Sequence, residues 1–190
     1  MQDVCSDAEM VRLIRAAKEC ESAAFATLYQ LYADKLYRYL LYRVGNQEVA
    51  EDLTMEVFVR LLEKIETFSF GQRRPVATFS AWIYRIAFNL AVDHHRAYRR
   101  GRVPLPIRER EVDHRPGPLE QVALGDRFEQ LQQAITRLSA DQQQVVILRF
   151  IEGLRTKQVA DIIGKTEGAV KALQHRALVR LRQLLQEGAP

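Results

Sequence analysis

"TKQVADIIGKTEGAVKAL", residues 156–173, decides how the C-terminal part of this chain folds. Its spacing is that of a helix-turn-helix. Ala160 falls where two helices approach closely and a larger side chain would force them apart. Gly164, four residues on, stands at the turn, where a positive φ is least costly for glycine. Val170, six further, is expected to close a small core with Val159, Ile163 and Leu173. Thr166 is placed to cap the second helix, and Glu167 in its first turn suits the positive end of the helix dipole. Ala, Gly and Val at these intervals, with apolar residues between them, point to a DNA-reading module.

The second helix runs on through "QHRALVRLRQLL". At about 100° per residue, Val170, Leu173, Ala177, Leu181 and Leu184 share one side, which is the side to bury. The opposite side offers Gly168, Ala169, Lys171, Ala172, His175, Arg176 and Arg182. Small residues near the start allow close approach to a surface. Bases further along can reach phosphates and base edges, where Arg and Lys favour guanine. A merely solvated basic face would leave the turn glycine and the clustered small residues unexplained.

Upstream of this module the periodicity is again helical, and alternating strand patterns are absent. In "AAFATLYQLYADKLYRYLLYRV", Phe25, Leu28, Leu31, Tyr32, Leu36, Tyr39 and Leu40 recur at three- and four-residue steps, and Gly45-Asn46 ends the run. "EVAEDLTMEVFVRLLEKIETF" spaces Val49, Leu53, Val57, Leu61 and Ile65 by four. Gly71 and Pro75 break the pattern before a third long helix, "AWIYRIAFNLAVDHHRAYRR". A polar stripe of Arg85, Asn89, Asp93 and Arg96 crosses that otherwise apolar helix. Polar groups there need partners or a ligand, and an Asp93–Arg96 pair satisfies two of them. Asn89 stays open between a structural and a ligand-facing role. From Gly101 to Pro118, five Pro and Gly residues follow Arg102 and apolar residues thin out, as in an extended linker. The expected architecture is all-α: residues 1–100 as one helical domain, 101–118 as linker, and 119–190 as a second domain holding the helix-turn-helix.

Composition narrows the function. With 47% hydrophobic residues in 190, the chain can bury real cores. No segment approaches the roughly 20 apolar residues needed to span a bilayer, and "MQDVCSDAEM" lacks a signal peptide's basic start, so a cytoplasmic protein is expected, without direct membrane insertion. Cys5 and Cys20 have no Cys/His cluster around them, which speaks against a disulfide framework or a metal site. The net charge of +4 is unevenly spread. Residues 1–70 carry twelve acids and eight bases, whereas 80–110 and 153–182 each carry seven bases against two acids. Two basic segments behind an acidic start fit a chain that meets a polyanion at two places.

Three motifs then converge. "TFSAWIYRIAFNLAVDHHR" with its basic sequel resembles the promoter-melting region of bacterial sigma factors. "VAEDLTMEVFVRLLEKIETF" resembles the helix with which those factors grip RNA polymerase core. "LSADQQQVVILRFIEGLRTKQVADIIGKTEGAVKALQHRALVRLR" resembles their promoter-reading C-terminal domain. The likeness spans roughly residues 8 to 185, and the compact form is similar to the extracytoplasmic-function group.

The resemblance implies roles for particular residues. Asp52, Glu56, Phe58 and Leu62 would lie on or under the surface that meets the coiled coil of the largest polymerase subunit; Met55 stands where the family usually has Gln. Asn89 matches a position that holds the flipped base of the −10 element, with Asp93 at a neighbouring base-contact position. The loop between Phe68 and Phe79, carrying Arg73 and Arg74, matches the loop that shapes that base's pocket. Arg85, Arg96 and Arg99 would neutralise phosphates around the melted strand. Thr166, Lys171, Ala172, His175 and Arg176 match the part that reads the −35 element, although many relatives have Arg at the position of Leu173 and an acid at that of Gln158. The implied partners are RNA polymerase core, promoter DNA and an inhibiting anti-sigma factor. No cofactor and no metal are expected, and no catalytic residue. Two other readings exist. A stand-alone helix-turn-helix regulator would dimerise on palindromic sites. A nucleic-acid enzyme would have to use Asp93, His94 and His95, but adjacent histidines diverge by about 100° on a helix.

Overall fold

The computed structural model describes residues 6–70, 75–100 and 128–187, and all regular elements among them are helical. The expected linker and the expected return of helix near Leu119 fall outside these residues. Four helices form the N-terminal domain: α1 (Asp7–Lys18), α2 (Ser22–Val44), α3 (Gln47–Lys64, closed by a 3-10 turn over Ile65–Thr67) and α4 (Pro75–Arg99). The C-terminal domain holds α5 (128–136), α6 (Ala140–Val146, running into a π turn over Ile147–Ile151), α7 (Thr156–Ile163) and α8 (Glu167–Glu187).

Local chemistry sets the boundaries. Ser6 and Glu9 form a capping box at α1, the Ser6 Oγ accepting from the Glu9 N–H at 3.2 Å and the Glu9 carboxylate from the Ser6 N–H at 2.7 Å. α2 ends on Gly45 in the left-handed region, φ 74°, and Asn46 Oδ1 accepts from the Val49 N–H at 2.8 Å to start α3. α4 starts at Pro75, within the stretch where the sequence suggested a break. Proline at the first helical position loses no hydrogen bond, because that N–H has no intrahelical acceptor.

The helix-turn-helix forms as its spacing requires. Gly164 adopts φ 67°, Thr166 Oγ1 accepts from the Ala169 N–H at 3.2 Å, and Ala160 and Val170 are buried. One core assignment differs. Ile162, rather than Ile163, is buried with Val159 and Ala160, steps of three and four residues falling to either side of Val159 on the same half of the helix; Ile163 and Leu173 pack half-buried against the core. Gln158 Oε1 accepts from the Arg155 N–H at 2.8 Å and so helps begin α7.

The two domains touch. α7 lies against α4, and Tyr42 meets Phe128 edge-on at 5.2 Å. Gln132 Nε2 donates to the Leu41 carbonyl at 3.0 Å. The π turn delivers Glu152 to the N-terminal domain, where Arg38 Nε and Nη2 donate to its two carboxylate oxygens at 3.2 and 3.3 Å and Tyr84 Oη donates at 3.4 Å. The Glu152 side chain is almost fully buried, while half of Arg38 stays in water. Burial raises the Glu152 pKa despite the opposing pull of Arg38, Tyr84 and Lys35. A carboxylate with a raised folded-state pKa binds its proton more tightly folded than unfolded. Its contribution therefore grows as pH falls from neutrality through the raised value and levels off below the ordinary glutamate value of 4.5. In urea titrations the wild type is thus expected to gain stability relative to Glu152→Gln on acidification across that window. A relative loss would mean that the Arg38 attraction outweighs desolvation.

Candidate functional site

Three surfaces gather the residues singled out by the sequence. The first is the exposed side of α8. Thr166, Lys171, Ala172, His175 and Arg176 are all exposed, and Gly168 beside them has nothing but the Thr166 hydroxyl near the place of a Cβ. Val170, Ala177, Leu181 and Leu184 turn inward. Arg149 ties the helix to the preceding turn, its Nη1 donating to the Leu154 carbonyl and its Nε to Gln174 at 3.4 Å. Lys165 is engaged with Asp141 at 3.1 Å. What remains is an open face of small residues followed by Lys171, His175, Arg176 and Arg182, with a helix N-terminus at its edge. Such a face can lie in a groove and donate to base edges and phosphates.

The second surface is α4. Arg85, Asn89, Asp93 and Arg96 are exposed along it, and Asp93 and Arg96 pair at 3.7 Å as expected. Beside this stripe lies a cleft of about 590 Å³. Thr67, Phe68 and Ser69 line one wall; Ala77, Thr78, Ala81, Trp82 and Arg85 of α4 line the other. Lys157 and Asp161 of α7 stand at its edge, so both domains contribute. The aromatic residues beneath it are a packed cluster: Phe68 lies 4.9 Å from Trp82 and 5.5 Å from Phe79, and Phe79 lies 5.4 Å from Tyr32. A cleft with an aromatic floor and an arginine at its rim is suited to a planar base and its phosphate. Arg73 and Arg74, and the side chain of Arg99, lie outside the described residues.

The third surface is α3. Asp52 is exposed, Glu56 is half-buried and bonded to Arg60 at 2.8 Å, and Leu62 is 52% exposed. Phe58 is buried beneath Tyr29, ring centroids 4.7 Å apart, so it supports this surface from below. Periodicity alone missed Met55 and Val59. With exposures of 56% and 44% they join Leu62 in an apolar stripe at four- and three-residue steps. These three large apolar side chains are exposed on one helix.

Comparisons with known proteins match the two helical domains separately. Residues 28–101 match the family model described as Sigma-70 region 2, and residues 128–181 that described as Sigma-70, region 4. The chain is 40% identical over 186 residues to the ECF RNA polymerase sigma factor BldN of Streptomyces coelicolor, covering 96% of this chain and 68% of that one. It is 28% identical to SigW of Bacillus subtilis, over 92% and 95% of the two chains. Among solved structures, CnrH in complex with the cytosolic domain of CnrY superposes with a TM-score of 0.68 at 20% identity, over 93% of this chain and 97% of that one. RpoE of Bartonella quintana, solved with the anti-sigma factor NepR, gives 0.62 at 22% identity, over 87% and 98%. These last two are likenesses of fold.

Proposed function

The chain belongs to the extracytoplasmic-function sigma factors, and on that premise we propose how its three surfaces divide the work of promoter-specific initiation by RNA polymerase. The apolar stripe Met55, Val59 and Leu62, flanked by Asp52 and Glu56, binds the coiled coil of the largest polymerase subunit. Lys171, His175 and Arg176, with Thr166 and Ala172, read the −35 element in the major groove. Arg85, Asn89, Asp93 and Arg96, with Arg73, Arg74 and Arg99, hold the opened −10 strand, and the cleft takes its flipped base. The observation that supports this reading is the conjunction of two separate exposed faces bearing arginines, on α8 and α4, with an exposed apolar stripe on α3. A stand-alone dimeric regulator has no use for the stripe and is not favoured.

The chemistry needed is modest. Unstacking a base costs a few kcal/mol, and a shaped cleft offsets that cost selectively. No covalent step falls to this chain. Among the described residues no group of three or more His, Cys, Asp or Glu could hold a metal ion, and no helix is long and apolar enough to cross a membrane. Regulation is assigned to a separate anti-sigma protein, as in the complex described for Bartonella quintana RpoE.

Run-off transcription with purified core polymerase on a promoter library tests the whole reading. Initiation that requires this chain and depends on sequence at both elements is expected. Arg176→Ala should lower initiation about 5- to 100-fold on templates matched at −35, the scale of one base-specific contact, and less on templates lacking that element. No chain-dependent initiation, together with no binding to core, would replace this reading with that of a stand-alone regulator.

A further inference from the structure

The two walls of the cleft are separate in sequence, yet one helix holds both. At the C-terminal end of α1, Lys18 Nζ donates to the main-chain carbonyls of Glu66 at 3.2 Å and Phe68 at 2.5 Å, fixing the turn that forms the first wall. At its N-terminal end, Asp7 Oδ1 accepts from the main-chain N–H of Val76 at 2.9 Å, in the first turn of α4, which forms the second. That N–H has no intrahelical acceptor, and an anionic acceptor there suits the helix dipole. Twelve residues of helix make a strut of about 18 Å between the two attachment points.

We propose that Asp7 and Lys18 are positioning residues that set the width of the cleft and thereby its selectivity among bases, an inference that rests on the −10 reading above. Three features argue for positioning over simple docking of α1. Met10, Ile14 and Ala17 already bury the helix against the domain, so its polar ends are not needed to keep it there. Both ends bind main chain rather than side chain, and main-chain position is what determines where Thr67, Ser69, Ala77 and Thr78 stand. The attachments also flank the cleft on both sides, so loss of either frees one wall relative to the other. Selectivity by a preformed cleft depends on such placement, because a base that fits loosely is discriminated poorly.

The experiment uses full-length chain with core polymerase on templates carrying each base at each −10 position, and the −35 preference serves as internal control. Asp7→Ala and Lys18→Met are each expected to lower the ratio between the best and worst base at the most selective −10 position by about five- to tenfold. That lies within the range of the net contribution of one intramolecular hydrogen bond. The −35 preference and the affinity for core should not change, and Lys18→Arg should retain most of the selectivity. Unchanged base ratios, or a uniform fall on all templates, would overturn the proposal. A second readout needs no polymerase: amide exchange at Val76 should quicken about tenfold in Asp7→Ala, and an unchanged rate would remove the strut itself. Should the wild type support no initiation while Val76 behaves as expected, the −10 reading fails and the selectivity role goes with it, leaving α1 as a structural brace.

Discussion

Leu62→Glu is expected to weaken binding to RNA polymerase core by about 30-fold or more while leaving the thermal midpoint close to that of wild type. The affinity estimate follows from the behaviour of central apolar contacts, whose removal costs about 2–4 kcal/mol. Half of the Leu62 side chain already faces water in the free chain, so a carboxylate there can stay hydrated in the folded state. On binding, however, it would be carried into an apolar contact beside Met55 and Val59. Fluorescence titration of labelled chain with core, alongside a far-UV melt of each variant, separates the two effects. Leu62→Ala should fall between wild type and Glu. An affinity within twofold of wild type for the Glu variant would place the polymerase contact elsewhere on the chain.

Phe79→Ala has the opposite signature. Phe79 is fully buried and packs edge-on or tilted against Tyr32, Phe68 and Trp82, with centroids 5.4, 5.5 and 5.8 Å away. Truncation removes a ring from the centre of that cluster and leaves a cavity that the surrounding rings can fill only by moving. The expected loss is about 3–5 kcal/mol, a large share of the roughly 5–15 kcal/mol that holds a domain folded. Urea denaturation followed by Trp82 fluorescence measures it. A loss below about 1.5 kcal/mol would show that Phe68 and Trp82 collapse into the gap, and the cleft above them would then change shape.

Much of this was legible in the sequence because the signals are local. The turn glycine, the cap and the inward residues of the helix-turn-helix lie within a dozen positions of one another, and the polar stripe of α4 repeats at steps of four and three. The exposed face of α8 follows from the same periodicity. What escaped depends on distant partners. No local signal marks Glu152, which meets Arg38 from a position 114 residues away. Nothing local marks Arg43 on α2, yet it is buried with its guanidinium 4.5 Å from the centre of the Phe88 ring. α1 was missed because charged residues interrupt its short apolar side, although Ser6 and Glu9 announce its start. Met55 gains a rationale only beside Val59 and Leu62, whose exposure no pattern of spacing could establish.

The cleft bordered by α7 carries a thermodynamic consequence. It is lined by Thr67, Trp82 and Arg85 from one domain and by Lys157 and Asp161 from the other. Any molecule whose affinity for the cleft differs between the docked and separated domains must shift the balance between those arrangements by the same factor. The relation is reciprocal: a partner that draws α7 away from α4 rescales the affinity of the cleft without touching it. Occupancy at one end of the molecule and the placement of the C-terminal domain are thus two readings of a single coupled equilibrium.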